Sequence, residues 1–465
     1  MKREKNRIHA FDVLRGISIL LMLMDNSQKF WLQPSSMWQV SILFMLLNVM
    51  GANGFTFIAG MGFGYSWRIY EQKKLDPHEI YQKSFARTFV LIMLAILYNC
   101  FMALAWGLSW DAIWYWNVLQ CIAFSRLFAT LIMKFSRKIR FVIAIGIIVL
   151  TPVLLLWMEP RYKVEVGAAI VYYIFFHPFN ATVSICFGFL FYVPFFIIGS
   201  LLGESTRDIE TMQAKEQQKG KLTPVSLKVL RLWVCIGVAL FATGILSGLN
   251  LSSHEYLPLI PGMNTFPGLH ITALPQFLIT NSYAWCLYCV GFEIMLSLVL
   301  LYFIDLNGKS KRYWPLAYYG RYSLTIYILY YFFLLLPPCS FFAGSLDWAT
   351  VWIAEILFFI GNWVLVYALD RKWQGKASLE YQLELLGGLL YEKLQGRSKA
   401  SPAKQELMRE TLVTLEKEAE ESLIQGKSTN YLDKLLEMHT LALKLNEKEK
   451  AAQIKARFEA FKANR

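Results

Sequence analysis

Apolar residues in this chain come in runs long enough to cross a bilayer, separated by short polar links. A span-length window finds ten of them, at about 11–31, 50–70, 86–106, 114–134, 140–158, 181–203, 228–248, 281–304, 318–337 and 347–369. About 20 residues of helix match the hydrocarbon thickness of a membrane. The stretch MWQVSILFMLLNVM at 37–50 is apolar but too short to span, and reads as an interfacial segment or a re-entrant half-helix. The pattern changes after residue 375. Ser401-Pro402 makes a helix start, Gly426 a break, and Tyr431, Leu435, Met438, Leu441 and Leu445 one side of a second, longer helix. The predicted fold is all-α: a polytopic membrane domain of about ten transmembrane helices over 1–375, then a C-terminal cytosolic helical tail over 376–465, folded as a hairpin or small bundle.

Polar residues interrupt the first run, FDVLRGISILLMLMDN, at both ends. Ionisable groups in hydrocarbon are costly and face a protein interior, a cavity or a substrate path. At 100° per residue, Asp12, Arg15, Ile19, Met22 and Asn26 fall within an arc of roughly 80°, so they share one helix face, with Asp25 on an adjoining one. Arg15 and Asn26 are separated by about 16 Å along the axis. A purely structural account is open: Asp12 and Arg15 as an i, i+3 pair, and Asn26 bonded to a neighbouring helix. Arg126, Glu293 and Glu355 also lie within apolar runs. Arg126 paired with either Glu is the ordinary structural solution; the sharper one has Glu355 and Asn362 lining one cavity with Asn26. Gly60, Gly62 and Gly64 resemble a phosphate loop only superficially, since no strand precedes them, and read as close-packing residues.

Composition agrees with a membrane protein: 56% of the 465 residues are hydrophobic and 16% aromatic, with a mean hydropathy of +0.40. The basic start MKREKNR precedes no small-residue cleavage site, so the first run reads as a retained span. Lys and Arg concentrate in alternate links: Arg68, Lys73, Lys74, Lys83 and Arg87; Lys134, Arg137, Lys138 and Arg140; the 204–231 link; Lys309, Lys311 and Arg312; and the segment after Arg371. By the positive-inside rule both termini are cytoplasmic. The tail holds 16 Lys/Arg against 14 Asp/Glu, so the formal net charge of +13 is mostly this orientation signal. Nucleic acid is not a predicted partner; membrane lipids are. The tail reads as a docking element for a cytosolic protein or for self-association. The seven cysteines sit mainly in apolar runs, and Cys286 and Cys289, though spaced as CxxC, have no accompanying His or second pair. No metal is predicted.

Several segments, taken in order, are similar to one family. Asp-x-x-Arg-Gly followed by a polar residue eleven after the Arg resembles the opening of polytopic transmembrane acyltransferases. That later residue is usually His in the broad group. It is Asn, as Asn26 is here, in the branch resembling heparan-α-glucosaminide N-acetyltransferase and its uncharacterised bacterial relatives. FTFIAGMGFGYS carries that branch's Phe57, Ile58, Gly60 and Ser66; VLQCIAFSRLFATLI is similar to its Val-Leu-Gln-Arg-Ile-Ala segment, with Cys121 in place of Arg. FLFYVPFFIIGSLLGE, LPQFLITNSYAWCLYCVGF, YYGRYSLTIYILYYF and WQGKASLEYQLELL resemble later segments, the last with Ala-Ser instead of Gly-Pro. The likeness covers about residues 8–390.

The resemblance implies a bacterial inner-membrane enzyme. It would take an acyl group, usually acetyl, from cytosolic acetyl-CoA and pass it to a hydroxyl or amino group of an extracytoplasmic glycan or lipid-linked sugar. Arg15, Lys83 and Arg87 would hold the coenzyme phosphates, Asp12 would orient Arg15, and Asn26 would donate to the developing oxyanion. The sequence departs from the family at the base: no His lies between His9 and His78. Asp25, His177, His254 and His270 are the candidates, with position favouring Asp25. Two other classes fit the same features, a transporter or flippase using the stripe as a path and a catalytically degenerate scaffold. The absence of a convincing internal repeat favours the enzyme over the transporter.

Overall fold

The computed structural model describes residues 8–36, 39, 43, 46–105, 117–162, 188–215, 224–253, 273–279, 282–306, 314–335, 339–373, 375–376, 378–396, 402–424, 428–444 and 448–463. The fold is all-α. Helices α1 His9–Trp31, α2 Ala52–Gln72, α3 Pro77–Ala105, α4 Val118–Ile132, α5 Arg137–Tyr162, α6 Phe189–Lys215, α7 Pro224–Ser247 and α8 Tyr283–Leu300 follow in order. Then come α9 Trp314–Arg321, α10 Ser323–Leu335, α11 Trp348–Trp373 and α12 Leu379–Gly396. A short antiparallel ribbon, β1 Leu251–Ser253 with β2 Ala273–Pro275, is the extended exception. Each of the ten apolar runs carries helix among the described residues, and six of the described helices are long and apolar enough to cross a membrane: those over 77–104, 137–158, 189–213, 225–247, 283–306 and 348–373. This is a multi-pass membrane protein. Leu97, Val142, Leu156 and Leu232 are exposed on the helix surfaces, the side that lipid covers.

The most extensive helix pairing is α2 against α6, and glycine makes it. A Cβ on Gly60 or Gly64 would come within 2.2 Å of the Phe196 carbonyl oxygen or 1.9 Å of that of Ser200. On the facing helix, a Cβ on Gly199 or Gly203 would meet the carbonyl oxygens of Phe57 and Met61 at 2.1 and 2.0 Å. Two Gly-x-x-x-Gly faces thus interlock backbone to backbone, as small residues permit in membranes. The same device joins α1 to α9: Gly16 faces the Leu316 carbonyl and Gly320 that of Asp12. The glycine of Asp-x-x-Arg-Gly therefore packs beside the glycine of Gly-Arg-x-Ser.

Distant carboxylates satisfy helix ends. Asp305, in the π-turn Leu301–Leu306 that ends α8, accepts from the backbone N–H groups of His9 and Ala10 at 2.9 and 2.8 Å. It serves α1, whose Ile8 N-cap offers no side-chain acceptor. The predicted helix at 318–337 is broken at Tyr322 into α9 and α10. Glu380 of α12 accepts there from Leu324 and Thr325 N–H at 2.7 and 3.2 Å, and from Thr325 Oγ1 at 2.5 Å. The break frees the donors of a new helix start, which a continuous helix would have kept internal.

The chain divides into two compact units, Met1–Leu389 and Leu390–Arg465. In the second, α13 Pro402–Ile424, α14 Ser428–Lys444 and α15 Lys448–Ala463 surround a core of Leu412, Ala419, Leu435, Met438, Ala442, Ala451 and Ile454. The long second helix expected there ends at Lys444, and a third begins at Lys448. Sixteen residues of unbroken helix would set Met438 and Ile454 about 24 Å apart, so a turn is needed to bring both into one core. Tyr431 packs on that core; the Leu441 and Leu445 side chains lie outside the described residues.

Two outcomes follow from these contacts. Gly64→Ala should destabilise the detergent-solubilised protein by about 1–3 kcal/mol, because the new methyl meets backbone on α6. Gly146→Ala, with nothing within 4 Å of the added Cβ, should be neutral or stabilising by up to about 1 kcal/mol. Thermal unfolding of the pair measures the difference. Burial pushes the Glu380 carboxyl above the ordinary Glu range, against the hydrogen bonds it accepts. Its stabilising contribution is therefore full below the unfolded-state pKa and is lost as pH rises through the folded one. Melting curves at several pH values should show that slope, and Glu380→Gln should remove it.

Candidate functional site

The polar face of α1 is organised in three levels. At its beginning, Asp12 is buried and Arg15 Nη1 lies 3.9 Å from its Oδ1, the i, i+3 pair expected. Arg15 lies along α2: a Cβ on Gly62 would stand 3.5 Å from its Nη2. Gly62 therefore gives the guanidinium room, while Gly60 and Gly64 serve the other side of the same helix. Halfway along, Ser18 is buried next to Gly54 and Glu293. At the far end, Asn26 donates from Nδ2 to the Met22 carbonyl on its own helix at 3.0 Å. Asp25 pairs with Lys29 at 2.7 Å on the more exposed side.

The buried carboxylate at that far end is Glu355 of α11. It accepts from Ser27 Oγ at 2.7 Å and from Gln28 Nε2, and is 1% exposed. Glu355 thus joins α1 beside Asn26, while Asn362 bonds the Phe358 carbonyl within α11. Ser27 and Gln28 escaped the reading of the sequence because it followed one arc of α1; the partner helix approaches from another.

The expected pairing of Arg126 with a glutamate does not occur: among the described residues Arg126 makes no ion pair. Its guanidinium lies over the Phe63 ring, 5.3 Å from the centroid, and its buried Nε has no hydrogen-bond partner. Glu355 is instead satisfied by amide and hydroxyl donors, and both oxygens of Glu293 are unpartnered. Arg126 turns toward a narrow cleft between α2, α3 and α4, whose walls include Ser66, Tyr70, Lys83, Ser84 and Arg87. Lys83 is paired with Glu79 at 3.0 Å, and Arg87 stands 4.0 Å from Glu384. Ser84 and Thr130 share a 2.8 Å hydrogen bond that ties α3 to α4 beside the cleft. Three cations and three hydroxyl groups lining one recess suit a polyanion, above all phosphate. Arg15 is not one of its walls, but Gly62 and Phe63 are adjacent on α2, so the two basic groups flank one turn of that helix.

A rigid ion network stands at the same end of α2. Glu204 of α6 receives Arg140 at 2.6 Å and Arg137 at 2.7 Å, and Asp208 receives Arg137 and Arg68 at 2.8 and 2.7 Å. It joins α2, α5 and α6, and Glu71, 2.8 Å from Arg68, brings the carboxylates to three against three arginines. Cys286 and Cys289 are buried in α8 as apolar residues. His177, His254 and His270 lie outside the described residues.

Asn26, Arg15, Lys83, Arg87 and Arg126 all fall in one continuous part of the chain, and that part has relatives. Residues 7–233 match the family described as heparan-alpha-glucosaminide N-acetyltransferase, catalytic. The resemblance drawn from the motifs is borne out over that stretch, which is a little under half of the chain. The family implies an acetyltransferase, and such enzymes use acetyl-CoA as donor. Glu293, Glu355 and Glu380 lie beyond the matched residues. No curated protein matches the chain.

The hydrogen bonds at Glu355 give a direct expectation. Gln28→Leu leaves a buried carboxylate short of a donor and should lower stability by about 1–3 kcal/mol. Glu355→Leu, which removes the carboxylate itself, should cost less than Gln28→Leu. Denaturation of both variants in one detergent tests the order.

Proposed function

We propose that this protein is a membrane acyltransferase that carries an acetyl group from cytosolic acetyl-CoA to a hydroxyl or amino group of an extracytoplasmic glycan or lipid-linked sugar. The observation that carries this reading is the recess of Lys83, Arg87 and Arg126, set within the stretch that matches the acetyltransferase family and one helix away from the polar face of α1. Lys83, Arg87 and Arg126 hold the coenzyme phosphates, with Arg15 at the entrance and Asp12 orienting it. The distribution of Lys and Arg supports a cytoplasmic position for this end and for both termini, in a bacterial inner membrane.

At the other end of α1, Asn26 uses one N–H on Met22 and has a second to offer an oxyanion. As the acceptor oxygen or nitrogen bonds to the acyl carbon and the carbon–sulfur bond breaks, the acceptor's proton passes to a base and the thiolate leaves. Asp25 serves as that base once its pairing with Lys29 is released; His177 is the alternative. The tail, with its own core, serves as a docking element for a cytosolic protein or a second copy.

Calorimetry of acetyl-CoA with the purified full-length protein tests the proposal. Wild type should bind saturably, and Arg15→Ala, Arg87→Ala and Arg126→Ala should each weaken binding by about tenfold or more. Asn26→Ala should bind normally yet fail to acetylate surface glycans in cells. A well-folded wild type that binds no acetyl-CoA would turn the reading to transport or to a scaffold.

A further inference from the structure

Helix α2 begins inside the protein. Gly51, Ala52, Asn53 and Gly54 are all buried, and no side chain caps this end. A buried helix start without a cap leaves N–H donors in need of partners and carries the positive end of the helix dipole. Three polar side chains from three helices surround it. Ser18 of α1 and Asn53 of α2 are 0% exposed, and Glu293 of α8 is 1% exposed. Ser18 Oγ, Asn53 Oδ1 and both carboxylate oxygens of Glu293 have no hydrogen-bond partner among the described residues. Asn53 Nδ2 is committed to the Val49 carbonyl. Two of these groups meet at Gly54: the point where a Cβ of Gly54 would stand is 2.9 Å from Ser18 Oγ and 3.5 Å from Glu293 Oε1.

So many unmet polar atoms are expensive in a protein interior, and a structural role would have paired them, as Asp305 and Glu380 are paired. Their chemistry is mixed in a specific way. The first turn of α2 and the Ser18 hydroxyl donate; Glu293 and Asn53 Oδ1 accept. A secondary amide is the complement, with its carbonyl on the donors and its N–H on an acceptor. We infer that Ser18, Asn53 and Glu293, at the buried start of α2, bind an amide group of the pantetheine arm of the acyl-CoA donor.

The inference rests on the acetyl-CoA reading above and extends it. The phosphate-binding recess includes Ser66, which is twelve residues beyond Gly54 on α2, or about 18 Å. An extended phosphopantetheine arm covers a comparable distance and carries two amides. The arm would run along α2, past Arg15 at Gly62, with the nucleotide at one end of the helix and an amide at the other.

The test compares two probes on the full-length protein by calorimetry: acetyl-CoA, and adenosine 3′,5′-bisphosphate, which has the nucleotide end without the arm. Glu293→Leu and Ser18→Ala should weaken acetyl-CoA binding by about tenfold or more and leave the bisphosphate unchanged. Gly54→Ala, whose methyl would crowd Ser18 Oγ and Glu293 Oε1, should do the same. Glu293→Leu should also melt no lower than wild type, because it removes an unpaired buried carboxylate; Ser18→Ala supplies the binding readout should Glu293→Leu fail to fold. Acetyl-CoA bound by Ser18→Ala and Gly54→Ala as tightly as by wild type would overturn the inference and leave the acyltransferase reading standing. Equal weakening of both probes would overturn it too. A wild type that binds neither probe would remove the acyl-CoA reading and this inference with it.

Discussion

Contact of backbone with backbone between α2 and α6 is the constraint on which the rest of this fold depends. Lipid supplies no hydrophobic force between helices, so association must come from close packing and polar contacts. Gly60, Gly64, Gly199 and Gly203 let the two helices meet at carbonyl distance. With α2 pinned on that side, its other faces are fixed as well: Gly62 toward Arg15, Phe63 beneath Arg126, Gly54 toward Ser18 and Glu293. One helix thereby sets the position of the basic recess, of Arg15 and of the deep polar cluster. The ion network at Glu204 and Asp208 holds the same end from the side opposite the recess.

The protein treats its charges in two ways. Asp305, Glu380, Glu204 and Glu355 are each surrounded by donors from elsewhere in the chain. Burial of a charge is tolerable on those terms. Arg126 and Glu293 are not so treated, although each lies well inside the helical bundle. That contrast is the basis of the ligand-binding roles proposed above for Arg126 and Glu293.

Much of this was legible in the sequence, because period and length are local properties. The helical character of the apolar runs, the packing role of the glycines and the Asp12–Arg15 pair followed from spacing within single segments. What was not legible depends on which segments meet. The break at Tyr322 answers to Glu380, more than fifty residues away. Arg126 looked like half of an ion pair because residue type suggests a partner; only packing shows that its neighbours are Phe63, Lys83 and Arg87. Ser18 falls at the edge of the polar arc of α1 and draws no notice until Glu293 and the start of α2 are beside it.

The long reach of the contacts made by α1 has a consequence for how such a protein can be taken apart. The first turn of α1 is closed by Asp305, its Gly16 face by α9, and its last turn by Glu355. All three come from the last third of the membrane unit. The stretch that carries the family likeness is therefore not a self-sufficient module. A shuffled or shortened chain would inherit the recognisable motifs without the walls that give them shape, so the less recognisable C-terminal helices are bound to travel with them as a single inheritable piece.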